Sequence, residues 1–146
     1  MINPLNNSHY KSTAETYNNT AQTLTAAATA LTLAGTQITD TGVAVDISGS
    51  NINIEYSGTY RIDVDAVFTT TTAGKVTLQL YQDGAALPET LRTISADVGN
   101  NAIHIDTVRF FRVRCGSQSV LQLLGNTDGT AVTSAALISC NVIKLA

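Results

Sequence analysis

The sequence predicts an all-β protein, an antiparallel two-sheet sandwich of about eight to ten strands. Three observations predict it. Apolar and polar residues alternate in short runs, the period of a half-buried strand. Glycine or Asp-Gly punctuation recurs about every 8–12 residues. Thr, Val and Ile fill the runs, and their branched Cβ costs rotamer freedom in a helix. Only Pro4 and Pro88 occur, and neither interrupts a long run.

Residues 1–21 are polar, rich in Asn and Ser and without periodicity, and are expected to form an arm or attachment segment ahead of a domain spanning 22–146. The sequons Asn6-Asn-Ser8 and Asn18-Asn-Thr20 read as chance in an Asn-rich stretch. Ala26–Ala28 would suit a helix, but Thr23, Thr25, Thr29 and Thr32 around it favour extended chain. Val43–Ile47 and Asn51–Tyr56 alternate and end at Gly49 and Gly58. The longest strand is expected over Thr59–Thr70. Tyr60, Ile62, Val64, Ala66 and Phe68 share one face, and Arg61, Asp63, Asp65 and Val67 the other. Lys75–Tyr81 follows, with Val76, Leu78 and Leu80 on one face and Asp83-Gly84 as its turn. A weaker strand is expected within 89–98, around Leu91, Ile94 and Val98. Asn101–Arg114, Val120–Leu124 and Ala131–Leu145 complete the set, with Gly116 and a Gly125–Gly129 loop between them.

Two of these strands are apolar on both faces. In 101–114, Ile103, Ile105 and Phe111 alternate with Val108 and Phe110. In 131–145, Ala135, Leu137 and Ile143 alternate with Ala136, Ile138, Cys140 and Val142. An antiparallel sheet with one wet face should alternate cleanly, so a second cover is required. A homo-oligomer interface supplies it most simply. The expected interface residues are Val67, Val108, Phe110, Ala136, Ile138 and Val142. Phe110 and Phe111 are adjacent, so one points inward and the other away.

Charged residues are 13% of the chain against about 25% in an average domain, so Thr, Asn, Ser and Gln must cover the surface. The net charge of −3 gives no basic footprint for nucleic acid or anionic lipid. No apolar stretch reaches the roughly 20 residues of a membrane-spanning helix. The first residues lack the basic and apolar regions of a secretory signal, so synthesis in the cytosol is expected, with exit by lysis or particle assembly.

Candidates for chemistry are sparse. His9 lies in the polar arm, and His104, between Ile103 and Ile105, reads as a packed or rim histidine. No serine-elbow, zinc-protease or phosphate-loop pattern occurs, and no catalytic residue, metal ligand or cofactor is assigned. Cys115 and Cys140 fall on strands not expected to be neighbours and read as two free, mostly buried thiols. Arg61, Asp63 and Asp65 share a face, and Asp106 and Arg109 come from a strand expected beside them. The set reads as cross-strand salt bridges in preference to a cation site. Asn126–Gly129 reads as a turn, not a calcium loop. Loops 83–90, 96–101 and 125–130 are the candidate ligand-binding surfaces.

Gly58-Thr-Tyr-Arg-Ile-Asp-Val64 resembles the G-x-Y-x-F-x-Y element of TNF/C1q-like jelly rolls, with aliphatic residues at the last two positions. Val76–Gly84 is similar to the strand and turn that follow it there. Phe111–Leu123, centred on Gly116, resembles a later hairpin, and Ala135–Leu145 resembles the closing strand. Ile38-Thr-Asp-Thr-Gly-Val43 and Ile52-Asn-Ile54 most resemble the bacterial and phage branch, which includes phage virion proteins and the C-terminal domains of collagen-like spore-surface glycoproteins. The resemblance covers about residues 22–146. The chain departs from it in having no Gly-X-Y stalk, no Trp and only 5% aromatics. It implies a jelly roll acting as a homotrimer: a non-catalytic structural or adhesive module. The expected setting is a phage virion, as head decoration, fibre head or tail-associated protein. The arm would dock on a capsid or tail protein, and a host-surface glycan is a possible ligand. The alternative is a carbohydrate-binding, lectin-like domain on a bacterial cell or spore surface, or secreted. A hydrolase or cupin-like enzyme is a distant third, because the histidines a cupin needs are lacking.

Overall fold

The computed structural model describes residues 12–146. The polar arm expected over 1–21 therefore falls mostly outside the described residues. Its last part is not an arm: Thr13–Asn18 is the first strand among the described residues, β1, paired on both sides, so the domain includes residues before 22. In chain order there follow β2 (Gln22–Thr23), β3 (Thr29–Ala30), β4 (Thr36–Thr41), β5 (Val45–Ser48), β6 (Asn51–Ile54), β7 (Gly58–Thr72), β8 (Gly74–Gln82) and β9 (Ala85–Ala86). A single 3-10 turn, Pro88–Thr90, precedes β10 (Arg92–Ala96), β11 (Gly99–Phe111), β12 (Ser119–Thr127) and β13 (Val132–Lys144).

The strands form two antiparallel sheets. The first runs β11-β7-β13-β1-β4, with β2 also on β13. The second runs β10-β8-β12-β6-β5, with β3 on β12 and β9 on β8. From β6 onward the chain passes repeatedly between the sheets, the winding of a jelly roll. Loops therefore gather at the two ends of the sandwich.

Alternation fills the space between the sheets. Tyr60, Ile62, Val64, Ala66 and Phe68 of β7 are buried, as are Ile103, Ile105 and Phe111 of β11. Opposite them, Val76, Leu78 and Leu80 of β8 and Leu121 and Leu123 of β12 are fully enclosed. Tyr60 meets Phe111 edge-to-face at 5.7 Å and donates its hydroxyl to the Tyr56 carbonyl at 2.7 Å. Burial, with a smaller push from Glu55, raises its phenol to about 12. Asp83 and Gly84 take φ of 49° and 85°, the left-handed pair of a two-residue hairpin between β8 and β9.

Three expectations change. Gly125–Thr127 is not loop but the end of β12. A Cβ on Gly125 would meet Leu78 at 2.9 Å and Leu24 and Leu31 at 3.2 Å, so three leucines use the space a side chain would take. Leu91 and Val98 are exposed, flanking the short β10. In β13 the register to β7 shifts between Ala135 and Leu137. The extra residue of this bulge reverses which parity faces inward. Thr133 and Ala135 are buried before it, and Ile138, Cys140, Val142 and Lys144 after it. Ile138 and Val142, expected at an oligomer interface, are therefore core residues. Much of the two-sided look of this strand is one inward face read across the bulge.

Candidate functional site

The outer face of the first sheet gathers most of the charged residues singled out from the sequence. Strand register arranges them in rows. Asp106, Asp63, Asn141 and Glu15 lie side by side across β11, β7, β13 and β1. His104, Asp65, Ser139 and Tyr17 form the next row, and Val108, Arg61, Ile143 and Thr13 the row on the other side.

Within this face Arg61 is committed to Asp106. Its Nε and Nη2 donate to the two carboxylate oxygens at 3.1 and 2.9 Å, a bidentate pair. That bond raises the guanidinium's affinity for its proton and lowers the pKa of Asp106. Asp63 lies 4.0 Å from the same guanidinium. His104 donates from Nδ1 to Asp65 Oδ1 at 2.6 Å, since an ionised carboxylate can only accept. The same nitrogen is 3.4 Å from Asp63 Oδ1. The imidazole pKa is raised, first by the bond to Asp65, against an opposing desolvation, with the charges of Asp65, Asp63 and Asp106 adding to the rise.

Arg109, grouped with these residues by sequence, does not belong to them. Positions 106 and 109 differ by an odd number, so their side chains leave β11 on opposite faces. Arg109 instead reaches Glu89 at 2.6 Å and Gln82 at 3.1 Å. His104, read as a packed or rim histidine, is the member that sequence reasoning missed. Its shared parity with Asp106 was visible. The β7–β11 register that sets it opposite Asp65 was not.

The row order bears on catalysis. Asp65 lies between His104 and Ser139, so the serine is two strands from the imidazole, roughly 10 Å. A nucleophilic triad needs histidine in the middle, within hydrogen-bond reach of the hydroxyl. This row does not make one.

The remaining candidates separate. Val67 lies on the outer face opposite Ala102 of β11, away from Val108 and Phe110, which lie opposite Arg61 and Thr59 and are 57% and 61% exposed. Ala136 lies in the bulge. Phe111 is the inward member of the phenylalanine pair. Cys140 is buried and its thiol is pushed to about 12, mainly by desolvation; Cys115, expected to be mostly buried, is exposed in the β11–β12 turn. Asp128 accepts from the backbone N–H groups of Lys75, Thr130 and Ala131, which lowers its pKa. It pins a turn with both oxygens. At one end of the sandwich an open cleft of about 1200 Å³ is lined by Asp40, Asp46, Glu55, Tyr56, Arg114 and Lys144, among others. No helix among the described residues is long and apolar enough to cross a membrane.

No sequence-family model matches the chain, and no curated protein matches it in sequence. Solved structures do match over nearly the full length. PRD1 vertex protein P5 superposes with a TM-score of 0.69 at 17% identity, covering 92% of this chain and 97% of that one. Eiger TNF from S. frugiperda gives 0.64 at 12%, covering 93% of each. The globular domain of zebrafish complement 1qA gives 0.61 at 10%, covering 93% and 98%. The chain has the TNF/C1q-like jelly-roll fold.

Proposed function

We propose that the chain is a non-catalytic, self-associating structural or adhesive module, a homotrimer carried on a phage virion. The observation that carries this reading is the end-to-end similarity to a phage vertex protein. The outer face of the first sheet supports the self-association. Phe110 and Val108 are large apolar side chains left in water together on β11, opposite Thr59 and Arg61 of β7. Rimmed by the Arg61, Asp63, Asp65 and Asp106 charges, they form the kind of patch that marks an interface. Residues of the polar N-terminal segment would dock the module on a capsid or tail protein, with a host-surface glycan as ligand. Light scattering coupled to size exclusion tests the assembly. A mass three times the 15.3 kDa chain is expected, falling to a single chain in Val108→Asp/Phe110→Asp. A monomeric parent protein would overturn it.

A second reading, a lectin-like binding domain on a bacterial cell or spore surface, is favoured by the end cleft. There the half-exposed Tyr56 lies with Asp40, Asp46 and Glu55, an aromatic surface among carboxylates that could accept from sugar hydroxyls. Saturable binding on a glycan array, lost in Tyr56→Ala, would favour this reading.

A further inference from the structure

We propose that Asp63, Asp65 and His104 form a binding site for a divalent first-row transition metal ion of the zinc class, on the outer face of the first sheet. The donor set is the first reason. Two carboxylates and an imidazole have their ligand atoms within 4.8 Å of one another. An imidazole suits zinc, nickel, cobalt or copper, whereas calcium and magnesium prefer oxygen alone.

Geometry is the second. With metal–ligand bonds near 2.1 Å, a tetrahedral site places neighbouring donors about 3.4 Å apart. His104 Nδ1 and Asp63 Oδ1 are already 3.4 Å apart. The contact between Nδ1 and Asp65 Oδ1, 2.6 Å, is shorter because a proton bridges it. The Asp65 side chain is 63% exposed, so it can turn to open that distance without disturbing the core. Metal binding at Nδ1 releases the bridging proton to solvent and leaves a neutral imidazole that carries its one proton on Nε2.

The third reason is an unsatisfied atom. Asp63 Oδ1 is shielded from solvent and accepts no hydrogen bond, although it faces the imidazole. A shielded carboxylate oxygen without a donor is costly, and a cation between it, Asp65 and His104 would remove the cost. Arg61 does not fill that role. It is held by Asp106 and approaches Asp63 through the other oxygen, Oδ2, at 4.0 Å. With Arg61 and Asp106 neutralising each other, Asp63 and Asp65 leave two negative charges that a divalent ion balances once His104 ligates as a neutral imidazole.

Equilibrium dialysis of the full chain against zinc, nickel, calcium and magnesium chlorides tests this. A Cys115→Ser/His9→Gln background removes the exposed thiol and the only other histidine. One zinc or nickel ion per chain is expected, with affinity at least about tenfold lower in both His104→Ala and Asp63→Asn, and no comparable uptake of calcium or magnesium. His104 is exposed, so its variant is expected to fold, with circular dichroism as the check. Equal zinc uptake in His104→Ala, or none by the parent at millimolar zinc, would overturn the site. Calcium held as tightly as zinc would overturn the metal class. All three donors come from one chain, so failure here and failure of the assembly proposal are separate results.

Discussion

The two faces of β7 share one backbone and one set of ladder hydrogen bonds, yet they carry different chemistry. Inward, Tyr60, Ile62, Val64, Ala66 and Phe68 are at most 1% exposed. Outward, among the described residues, Arg61, Asp63, Asp65 and Val67 meet their neighbours on β11 and β13. The second sheet packs over one face, and among the described residues nothing packs over the other. The inner face gains from every methylene removed from water. The outer face is free to hold charges, because exposed ion pairs contribute little to stability. The difference teaches that the candidate site rests on a rigid layer whose stability does not depend on it.

Substitutions on the two faces can break that comparison. Phe68→Ala empties a fully enclosed position and should cost about 3–5 kcal/mol in urea unfolding; a cost below that of a surface change would refute the inner-face assignment. Gly125→Leu tests the packing above β12. Its new side chain meets Leu78 and should cost about 1–3 kcal/mol, whereas a loop glycine, as the sequence suggested, would accept leucine cheaply. On the outer face, Arg61→Ala should leave the unfolding midpoint nearly unchanged. It should also let the Asp106 pKa return toward its ordinary value, followed by carboxyl NMR. A large loss of stability there would mean that Arg61 is enclosed within the interface and not at its rim.

The smallest effect is the pH response of His104 in metal-free buffer. Its folded pKa lies above the ordinary 6.5. Its favourable contribution is therefore fully present below 6.5 and is lost as pH rises through the raised folded value. The stability difference between the parent and His104→Ala should shrink over that window. In a proton titration by NMR, Asp65→Asn should bring the His104 midpoint back down; an unmoved midpoint would remove Asp65 as the main cause. For Asp106 the sign is opposite. Its pairing with Arg61 stabilises above pH 3.8 and is lost as pH falls through the depressed value.

Much of the molecule was legible before any coordinates. Period-two alternation separated Tyr60, Ile62, Val64, Ala66 and Phe68 from Arg61, Asp63 and Asp65, because side chains leave a strand on alternate faces. Asp83-Gly84 announced its hairpin, because only such residues accept two left-handed positions cheaply. Strand runs and glycine spacing gave the sandwich. Other features were hidden. Thr13–Asn18 looks like polar arm because β1 buries only Ala14, Thr16 and Asn18, small or polar side chains.

The sequence by itself therefore determined which residues share a face within each strand, since that follows from local backbone geometry. Tertiary structure alone decided which faces meet. It set His104 beside Asp65 through the β7–β11 register, carried Arg109 away to Glu89, and turned Ile138 and Val142 inward through the bulge at Ala135–Leu137. The physical reason is that alternation is a property of one strand, whereas register and bulges are properties of a pair. They are chosen by how the whole core packs.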